Sequence, residues 1–302
     1  MSLATALVAC GLAAAALVTD PQAQKAPAPL SLRFGVYTSD RATTLYKEFL
    51  PLLEYMDKPM EARLGRPVDI ELRIFKTYEE GIDALVKGQV DFVRFGPSSY
   101  VIAKGQNPDI DVLAMETNGG SKDRPGWIVV RAQSAIRTIA DLRGKSFAFA
   151  DERSTIGRFF VQAILVRAGL REPDLGAMRY LGRHDKIVSA VELGDCDAGC
   201  VNANNAAEAV KSGTLRVLKE FSVPGKPLAA RAGLDPVVKA ALRATLLEVK
   251  DPAALRDLKI TGFLAATDVD YQQVRDDMKT ADLFAAPASR PATEPPPAPP
   301  HR

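Results

Sequence analysis

A regular alternation of strand-like and helix-like segments constrains this chain more than any other feature. Between Leu30 and Phe284, short segments with the period of a strand are separated by longer ones whose apolar residues recur every three or four positions, as in helices. This rhythm predicts an α/β protein with mostly parallel sheets and helices on both faces. Because 302 residues exceed the usual size of a single core, two lobes are expected.

The alternation pauses twice, which indicates where the chain passes from one lobe to the other. Both pauses, near residues 118–126 and 222–228, are rich in Gly, Pro and Lys. We expect one lobe to contain residues 30–120 and 228–284, and the other to contain residues 121–227 with the crossovers. Packing of residues 228–284 on the second lobe would contradict this division.

Both ends of the chain are expected to stand outside the lobes. Residues 1–25 contain an apolar run of sixteen residues followed by a polar boundary, which is the pattern of a secretory signal segment. The stretch ending at Cys10 also resembles a lipobox, so lipidation at this cysteine and retention as a short anchor are alternatives. Residues 26–29 form a linker, and residues 285–302, with seven prolines, are expected to be a disordered tail.

Composition excludes several classes of function. The 39 basic and 37 acidic residues nearly balance, so nucleic acid is not an expected partner. With only two histidines, His184 and His301, a His-rich metal site is excluded, and no cofactor is expected. Cys196 and Cys200 lie too far apart on an extended segment for a disulfide, so buried free thiols are expected. The nucleophile, phosphate-loop and dinucleotide motifs of common enzymes are missing, which argues against an enzyme.

Hydroxyl-bearing residues stand at two places where a strand ends and a helix begins. Ser154 and Thr155 follow one such strand, and Ser98 and Ser99 follow another. Free backbone N–H groups, hydroxyls and the positive end of the helix dipole meet at these places, so each can bind an anion. The alternative is that each serine or threonine only caps its helix.

His184 also stands between a predicted strand and a predicted helix. From the carboxyl end of a strand its imidazole can donate a hydrogen bond to an anion, although a surface or capping role is the alternative. Ligands of open α/β sheets bind outside the carboxyl ends of strands. We therefore expect these places to face one another across a cleft between the lobes.

A series of short motifs in fixed order covers nearly all of residues 30–284. It includes Phe34-Gly35-Val36, Tyr78-Glu79-Glu80-Gly81-Ile82, Phe95-Gly96-Pro97-x-x-Tyr100, Ser154-Thr155-x-Gly157 and Gly182-x-His184-Asp185. The series resembles the phosphate, phosphite and phosphonate-binding periplasmic protein family. This resemblance implies a type II periplasmic-binding-protein fold, with two α/β lobes, a ligand cleft and two crossover strands.

The resemblance also implies a function. Such a protein captures a small phosphorus oxyanion outside the cytoplasm, as a monomer, and delivers it to the membrane permease of an ABC importer. The alternative is a ligand sensor that reports to a membrane signalling partner. Neither version is an enzyme.

Residue roles follow from the same resemblance. Ser154, Thr155 and His184 would bind the oxyanion, together with Gly157 of the same motif. The other binding positions implied by the matching motifs are Tyr46, Phe95, Ser98, Ser99, Tyr100 and Asn202. Relatives frequently carry a tyrosine in place of Phe95 and a hydroxyl residue in place of Ile156, so two contacts would be missing.

The resemblance further bears on the substituent of the ligand. Relatives that take aminophosphonates carry carboxylates after the Asp-Ala-Gly strand and in the second crossover. This chain has Asn202, Asn204 and Asn205 in the first place, and Lys226 near the second. We therefore expect a ligand without an amine.

Overall fold

The structure is a computed structural model and describes residues 27–37 and 42–285. Its strands are β1 (Leu30–Tyr37), β2 (Val68–Phe75), β3 (Phe92–Arg94), β4 (Asp111–Thr117), β5 (Asp123–Arg131), β6 (Ser146–Phe149), β7 (Ala177–Tyr180), β8 (Ala198–Asn202), β9 (Leu215–Pro224), β10 (Pro227–Ala230) and β11 (Gly262–Leu264). Its helices are α1 (Ala42–Leu64), α2 (Tyr78–Val86), α3 (Pro97–Gln106), α4 (Val161–Arg167), α5 (His184–Leu193), α6 (Ala203–Lys211), α7 (Pro236–Glu248), α8 (Pro252–Leu255) and α9 (Gln272–Asp282). A π-helix, Thr155–Phe160, precedes α4.

The strands form two mixed sheets, ordered β11-β4-β10-β3-β1-β2 and β7-β6-β8-β5-β9. Parallel pairs join β1 to β2 and β3, and β6 to β7 and β8. However, β10 runs antiparallel to β3 and β4, and β5 runs antiparallel to β8 and β9. The expectation of mostly parallel sheets is wrong, because a strand that returns the chain from the other lobe enters its sheet in the opposite direction.

The chain crosses between the sheets twice. The first crossover joins β4 to β5, and the second joins β9 to β10 through Gly225 and Lys226. The backbone N–H of Gly225 donates to the carbonyl of Lys122 at 2.7 Å, and that of Glu116 donates to the carbonyl of Lys226 at 2.9 Å. The crossovers therefore lie side by side as a two-stranded hinge.

The C-terminal helix α9 contacts both lobes. The strands β10 and β11 and the helix α7 lie with the first sheet, whereas α9 packs against α4 and the π-helix of the second lobe as well as against α3. Asp277 of α9 forms an ion pair with Arg167 of α4. Helix α9 thus departs from the predicted placement of residues 228–284 in the first lobe alone.

Apolar side chains form a core that continues from one lobe to the other. One face of the first sheet packs against α1 and α7, with Phe34, Phe49 and Leu242 among the buried residues. The cluster on the other face includes Tyr100 of the first lobe and Phe149 of the second. The two lobes are therefore joined by packed side chains as well as by the hinge.

Membrane-spanning helices, metal-binding groups, the two cysteines and the chain ends are considered in turn. Within the described residues, no helix is both long and apolar enough to cross a bilayer. The same residues contain no group of three or more His, Cys, Asp or Glu side chains placed to hold a metal ion. Cys196 and Cys200 are buried and free, as predicted. The predicted export signal with Cys10, and the predicted tail beyond Ala285, lie outside the described residues.

Candidate anion-binding site

A small polar pocket, here called the inner pocket, lies between the lobes beside both crossovers. Its volume of about 50 Å³ corresponds to roughly four water positions. It is lined by Tyr37, Tyr78, Arg94, Gly96, Arg124, Ser154, Thr155, Ile156, His184, Asn202, Asn205 and Lys226. None of these described lining residues is acidic, so the wall favours an anion.

Three cationic side chains reach the inner pocket from different elements. Arg94 ends β3, Arg124 lies near the start of β5, and Lys226 lies in the second crossover. Behind the wall, the carboxylate of Glu116 is 3% exposed and accepts hydrogen bonds from Arg94, at 2.7 Å from Nε and 3.3 Å from Nη2. This ion pair fixes the Arg94 guanidinium, since both of its partners are rigidly held at strand ends.

Arg124 has an unmet hydrogen-bonding requirement. Its Nε is shielded from solvent and has no hydrogen-bond partner among the described residues. Burial lowers the pKa of Arg124 to about 10, against the opposing effect of Glu116, so the guanidinium stays charged at neutral pH. A buried N–H without an acceptor is costly, and an anion in the pocket would supply the acceptor.

Ser154 and Gly157 shape the start of the π-helix at the pocket. Ser154 Oγ accepts a hydrogen bond from the Gly157 N–H at 3.0 Å, which leaves the hydroxyl hydrogen of Ser154 for a ligand. Gly157 itself does not line the pocket. A Cβ at this position would lie 2.1 Å from the Cβ of Ala150, so glycine is required for the helix to approach the end of β6 this closely.

Thr155 is engaged across the cleft by Ser98. The Ser98 N–H donates to Thr155 Oγ1 at 2.9 Å, and the two hydroxyl oxygens are 2.8 Å apart. Ser98 Oγ donates its own hydrogen to the carbonyl of Arg153 at 2.6 Å, so the hydrogen between the hydroxyls comes from Thr155. We call Ser98, Arg153 and Thr155 the interlobe latch. In it, the Thr155 hydroxyl joins the lobes and does not donate to a ligand.

His184 begins α5 and is almost fully buried beside the cations. Burial, together with the charges of Lys226 and Arg124, lowers the pKa of His184 to about 4. Its Nδ1 lies 3.4 Å from the backbone nitrogen of Asn202, and the ring also hydrogen-bonds to the backbone of Cys200. At neutral pH the ring therefore offers hydrogen bonding without a positive charge.

The structure brings four of the ten predicted site residues to the wall of the inner pocket, namely Ser154, Thr155, His184 and Asn202. Phe95 and Ser99 lie behind the wall and support Tyr37. The Phe95 ring stacks on that tyrosine at 5.3 Å, and Ser99 Oγ lies 2.9 Å from its hydroxyl.

Tyr46 and Tyr100 are not brought to the pocket. Tyr46 is 52% exposed on α1, because the neighbouring Leu45 occupies the buried stripe of that helix. The Tyr100 hydroxyl donates to the carboxylate of Asp268 at 2.7 Å, away from the anion site. The shared motifs identify these two residues in the sequence, but they do not show which way the side chains point.

Tyr37 supplies a hydroxyl near the position where Phe95 lacks one. Its oxygen accepts the Gly96 N–H at 2.6 Å, and burial raises the pKa of Tyr37 to about 12, so the phenol keeps its hydrogen. Its ring stacks on Tyr78 at 3.9 Å. Like Arg94, Tyr37 ends a strand of the first sheet, so the strand-end rule could have found both residues.

The inner pocket continues into a larger space, here called the outer chamber, of about 100 Å³. The two spaces share Arg94, Arg124, Asn202, Asn205 and Lys226. The other walls of the outer chamber are Leu45, Glu48, Glu116, Asn118, Asn204, Asp257, Leu258, Lys259 and Ile260. Unlike the inner pocket, the outer chamber therefore carries both signs of charge.

A protein-family model described as "ABC transporter, phosphonate, periplasmic substrate-binding protein" matches residues 34–271. The chain belongs to this family. It is therefore an extracytoplasmic substrate-binding protein of an ABC transporter, with a small anionic ligand and a membrane permease as partners, and it is not an enzyme. The predictions of the family and of the binding role are confirmed.

Individual relatives agree with this assignment. The phosphate-import protein PhnD of Mycolicibacterium smegmatis is 25% identical over 306 residues, which cover 90% of this chain and 94% of that protein. PhnD1 from Prochlorococcus marinus in complex with methylphosphonate superposes with a TM-score of 0.70 at 21% identity, covering 83% of this chain and 98% of that one. A binding-protein component of a Pseudomonas aeruginosa ABC phosphonate transporter has a TM-score of 0.70 at 18% identity, covering 84% and 87%. The predicted periplasmic-binding-protein fold is confirmed.

Proposed function

We propose that this protein captures phosphate, phosphite or a simple phosphonate in the inner pocket and delivers it to an ABC importer. The observation that carries the proposal is the meeting of Arg94, Arg124 and Lys226 at a wall without carboxylates, with the Arg124 Nε buried and lacking an acceptor. The phosphate-import relative and the methylphosphonate complex support the same ligand class.

Each proposed contact has a defined donor. Arg124 and Lys226 supply charge from the hinge, and Arg94 supplies it from the first lobe. Ser154 contributes its hydroxyl hydrogen and His184 contributes its imidazole, both from the second lobe. An oxyanion bound by both lobes and the hinge would stabilise the closed cleft, since its contacts are complete only when the lobes meet.

Calorimetric titration with phosphate, methylphosphonate and sulfate tests the proposal. Replacing Arg124 removes a charge-assisted hydrogen bond, which contributes about 1.5–3 kcal/mol, so Arg124→Met should bind phosphate at least tenfold more weakly. Arg137→Met, which changes an exposed arginine of the second lobe outside the pocket, should bind as the unmodified protein does. Equal affinities of Arg124→Met and the unmodified protein would contradict the assignment.

We further propose that methylphosphonate is preferred over 2-aminoethylphosphonate. Asn202, Asn205 and Lys226 line the inner pocket where amine-binding relatives carry acids, and Lys226 points to the cleft and not only to solvent. Within the inner pocket an ammonium would lie beside three cations and no carboxylate, so its lost hydration, which costs several kcal/mol, could be repaid only by the carboxylates of the outer chamber. A competition titration should show the methyl compound binding more tightly. Tighter binding of the aminated compound would refute the preference and leave the oxyanion site itself intact.

The oligomeric state and the export of the protein also belong to this proposal. We propose that it acts as a monomer, since the cleft is built from one chain, and that its N-terminal segment exports it to the periplasm. Mass spectrometry of the mature protein would distinguish simple cleavage from lipidation at Cys10, because an attached lipid adds mass and retains the protein in the membrane fraction.

A further inference from the structure

The outer chamber is where a substituent on the ligand has room. The inner pocket holds roughly four water positions in about 50 Å³, which a tetrahedral oxyanion fills by itself. The outer chamber has twice that volume and is separated from the inner pocket only by shared side chains, Arg94, Arg124 and Lys226 among them. A group attached to phosphorus would therefore extend past these cations into the outer chamber.

The walls of the outer chamber offer neutral hydrogen-bonding groups. The side-chain amides of Asn118, Asn204 and Asn205 make no hydrogen bond to any other residue that the structure describes. Asn202 differs, because its Oδ1 accepts the Asn204 N–H at 3.2 Å and caps α6. Each free amide can donate and accept, which is also what an alcohol does. The amides therefore match a hydroxyl-bearing group better than an alkyl group.

The charges around the chamber do not select an ionised substituent of either sign. Arg94, Arg124, Lys226 and Lys259 line it together with Glu48, Glu116 and Asp257, so a charged group of either sign would meet both attraction and repulsion. A neutral polar substituent needs no counter-charge, and the asparagine amides can serve it.

We propose that the outer chamber is a subsite for a short, neutral, hydroxylated substituent. The receptor would then take a hydroxyalkyl phosphonate or a polyol phosphate ester as well as the bare oxyanion. This inference rests on the proposed oxyanion site, because the substituent reaches the chamber only when the phosphorus group occupies the inner pocket.

The experiment compares 2,3-dihydroxypropylphosphonate with propylphosphonate, which has the same chain length and anionic group but no hydroxyls. Calorimetric titration of the full chain should give the diol a Kd at least about fivefold lower, the effect of one or two added neutral hydrogen bonds. The double variant Asn118→Ala/Asn204→Ala leaves only Asn205 of the three free amides, so it should reduce this advantage and leave phosphate affinity unchanged. Asn107→Ala, which alters an asparagine at the end of α3 outside both spaces, should keep the advantage.

The outcomes separate this inference from the proposed function. Tight binding of phosphate and propylphosphonate without any advantage for the diol would overturn the subsite and leave the oxyanion site standing. An advantage of undiminished size in Asn118→Ala/Asn204→Ala would overturn its assignment to the outer chamber. If phosphate and both phosphonates fail to bind, the proposed function is wrong and the subsite falls with it.

Discussion

His184 is a buried base with cationic neighbours, and this links the stability of the fold to pH. Its pKa of about 4 in the folded protein compares with about 6.5 for an exposed imidazole. Below pH 6.5 the unfolded chain therefore binds a proton that the folded chain does not, and the free energy of unfolding falls as the pH falls toward 4. The loss should approach roughly 3 kcal/mol once the pH is below both values.

The variant His184→Gln should remove this dependence, because glutamine keeps a hydrogen-bonding side chain without a titratable ring. Urea unfolding at pH 7 and pH 4 should show that the variant loses roughly 3 kcal/mol less of its free energy of unfolding than the unmodified protein. His301→Gln, at the other histidine of the chain, is the matched control and should behave as the unmodified protein. Identical losses in His184→Gln and the control would show that His184 already titrates normally in the fold.

The sequence predicts the hydroxyl and imidazole groups of the site and points to Lys226, but it does not single out Arg94 or Arg124. Ser154 and His184 follow strands, so the rule for strand ends located them. Arg94 ends β3, so the same rule applies to it, whereas Arg124 near the start of β5 and Lys226 in the second crossover lie in segments without a periodic pattern of their own. These three meet only because the crossovers pair beside β3 and β4, a neighbourhood that linear order does not reveal.

At the scale of elements, the latch holds the first turn of α3 against the start of the π-helix. Ser98 makes three hydrogen bonds across the cleft, two to Thr155 and one to the carbonyl of Arg153. An ion pair of 3.1 Å between Arg153 and Glu79 of α2 lies beside them, though both side chains are partly exposed and the pair contributes little. The Ser98 hydroxyl is therefore the main polar contact between α3 and the start of the π-helix.

Ser98→Ala should weaken closure without removing a ligand contact. It deletes two hydroxyl-mediated bonds, worth about 0.5–1.5 kcal/mol each, so phosphate affinity should fall about fivefold to a hundredfold. Small-angle scattering at a fixed, subsaturating phosphate concentration should show less compaction than in the unmodified protein. Ser99→Ala, whose hydroxyl contacts Tyr37 within the first lobe, should leave closure intact. If both variants compact equally, the latch does not control closure.

The existence and order of most elements could be predicted, but not how the returning strands join the sheets. The sequence pattern predicts a strand over Val90–Phe95, and β3 spans Phe92–Arg94, a difference of one or two residues at each end. The pattern also predicts one helix over residues 154–168, where the structure has a π-helix followed by α4. The antiparallel entry of β5 and β10 depends on the path of the whole chain between lobes, which local periodicity does not encode.

At the scale of the whole molecule, the continuous core predicts how the protein unfolds. Buried side chains of one cluster belong to both lobes, and α9 packs on α3 and α4 at once. Phe284 just after α9 is 1% exposed and meets the Phe149 ring of the second lobe at 5.8 Å. Neither lobe can lose its structure without exposing apolar surface of the other, so the lobes are coupled.

We therefore expect thermal unfolding of the unmodified chain to be a single transition, with equal calorimetric and van't Hoff enthalpies. Phe284→Ala removes a buried aromatic ring from the junction, at a cost of about 3–5 kcal/mol, and should split the transition in two. Phe49→Ala deletes an equally buried ring from the cluster confined to the first lobe, so it should lower the midpoint while the transition stays single.

Saturating phosphate binds both lobes and should move the two transitions of Phe284→Ala together, because ligand binding stabilises only the state in which both lobes are folded. Two resolved transitions in the unmodified protein would show that the shared core does not couple the lobes.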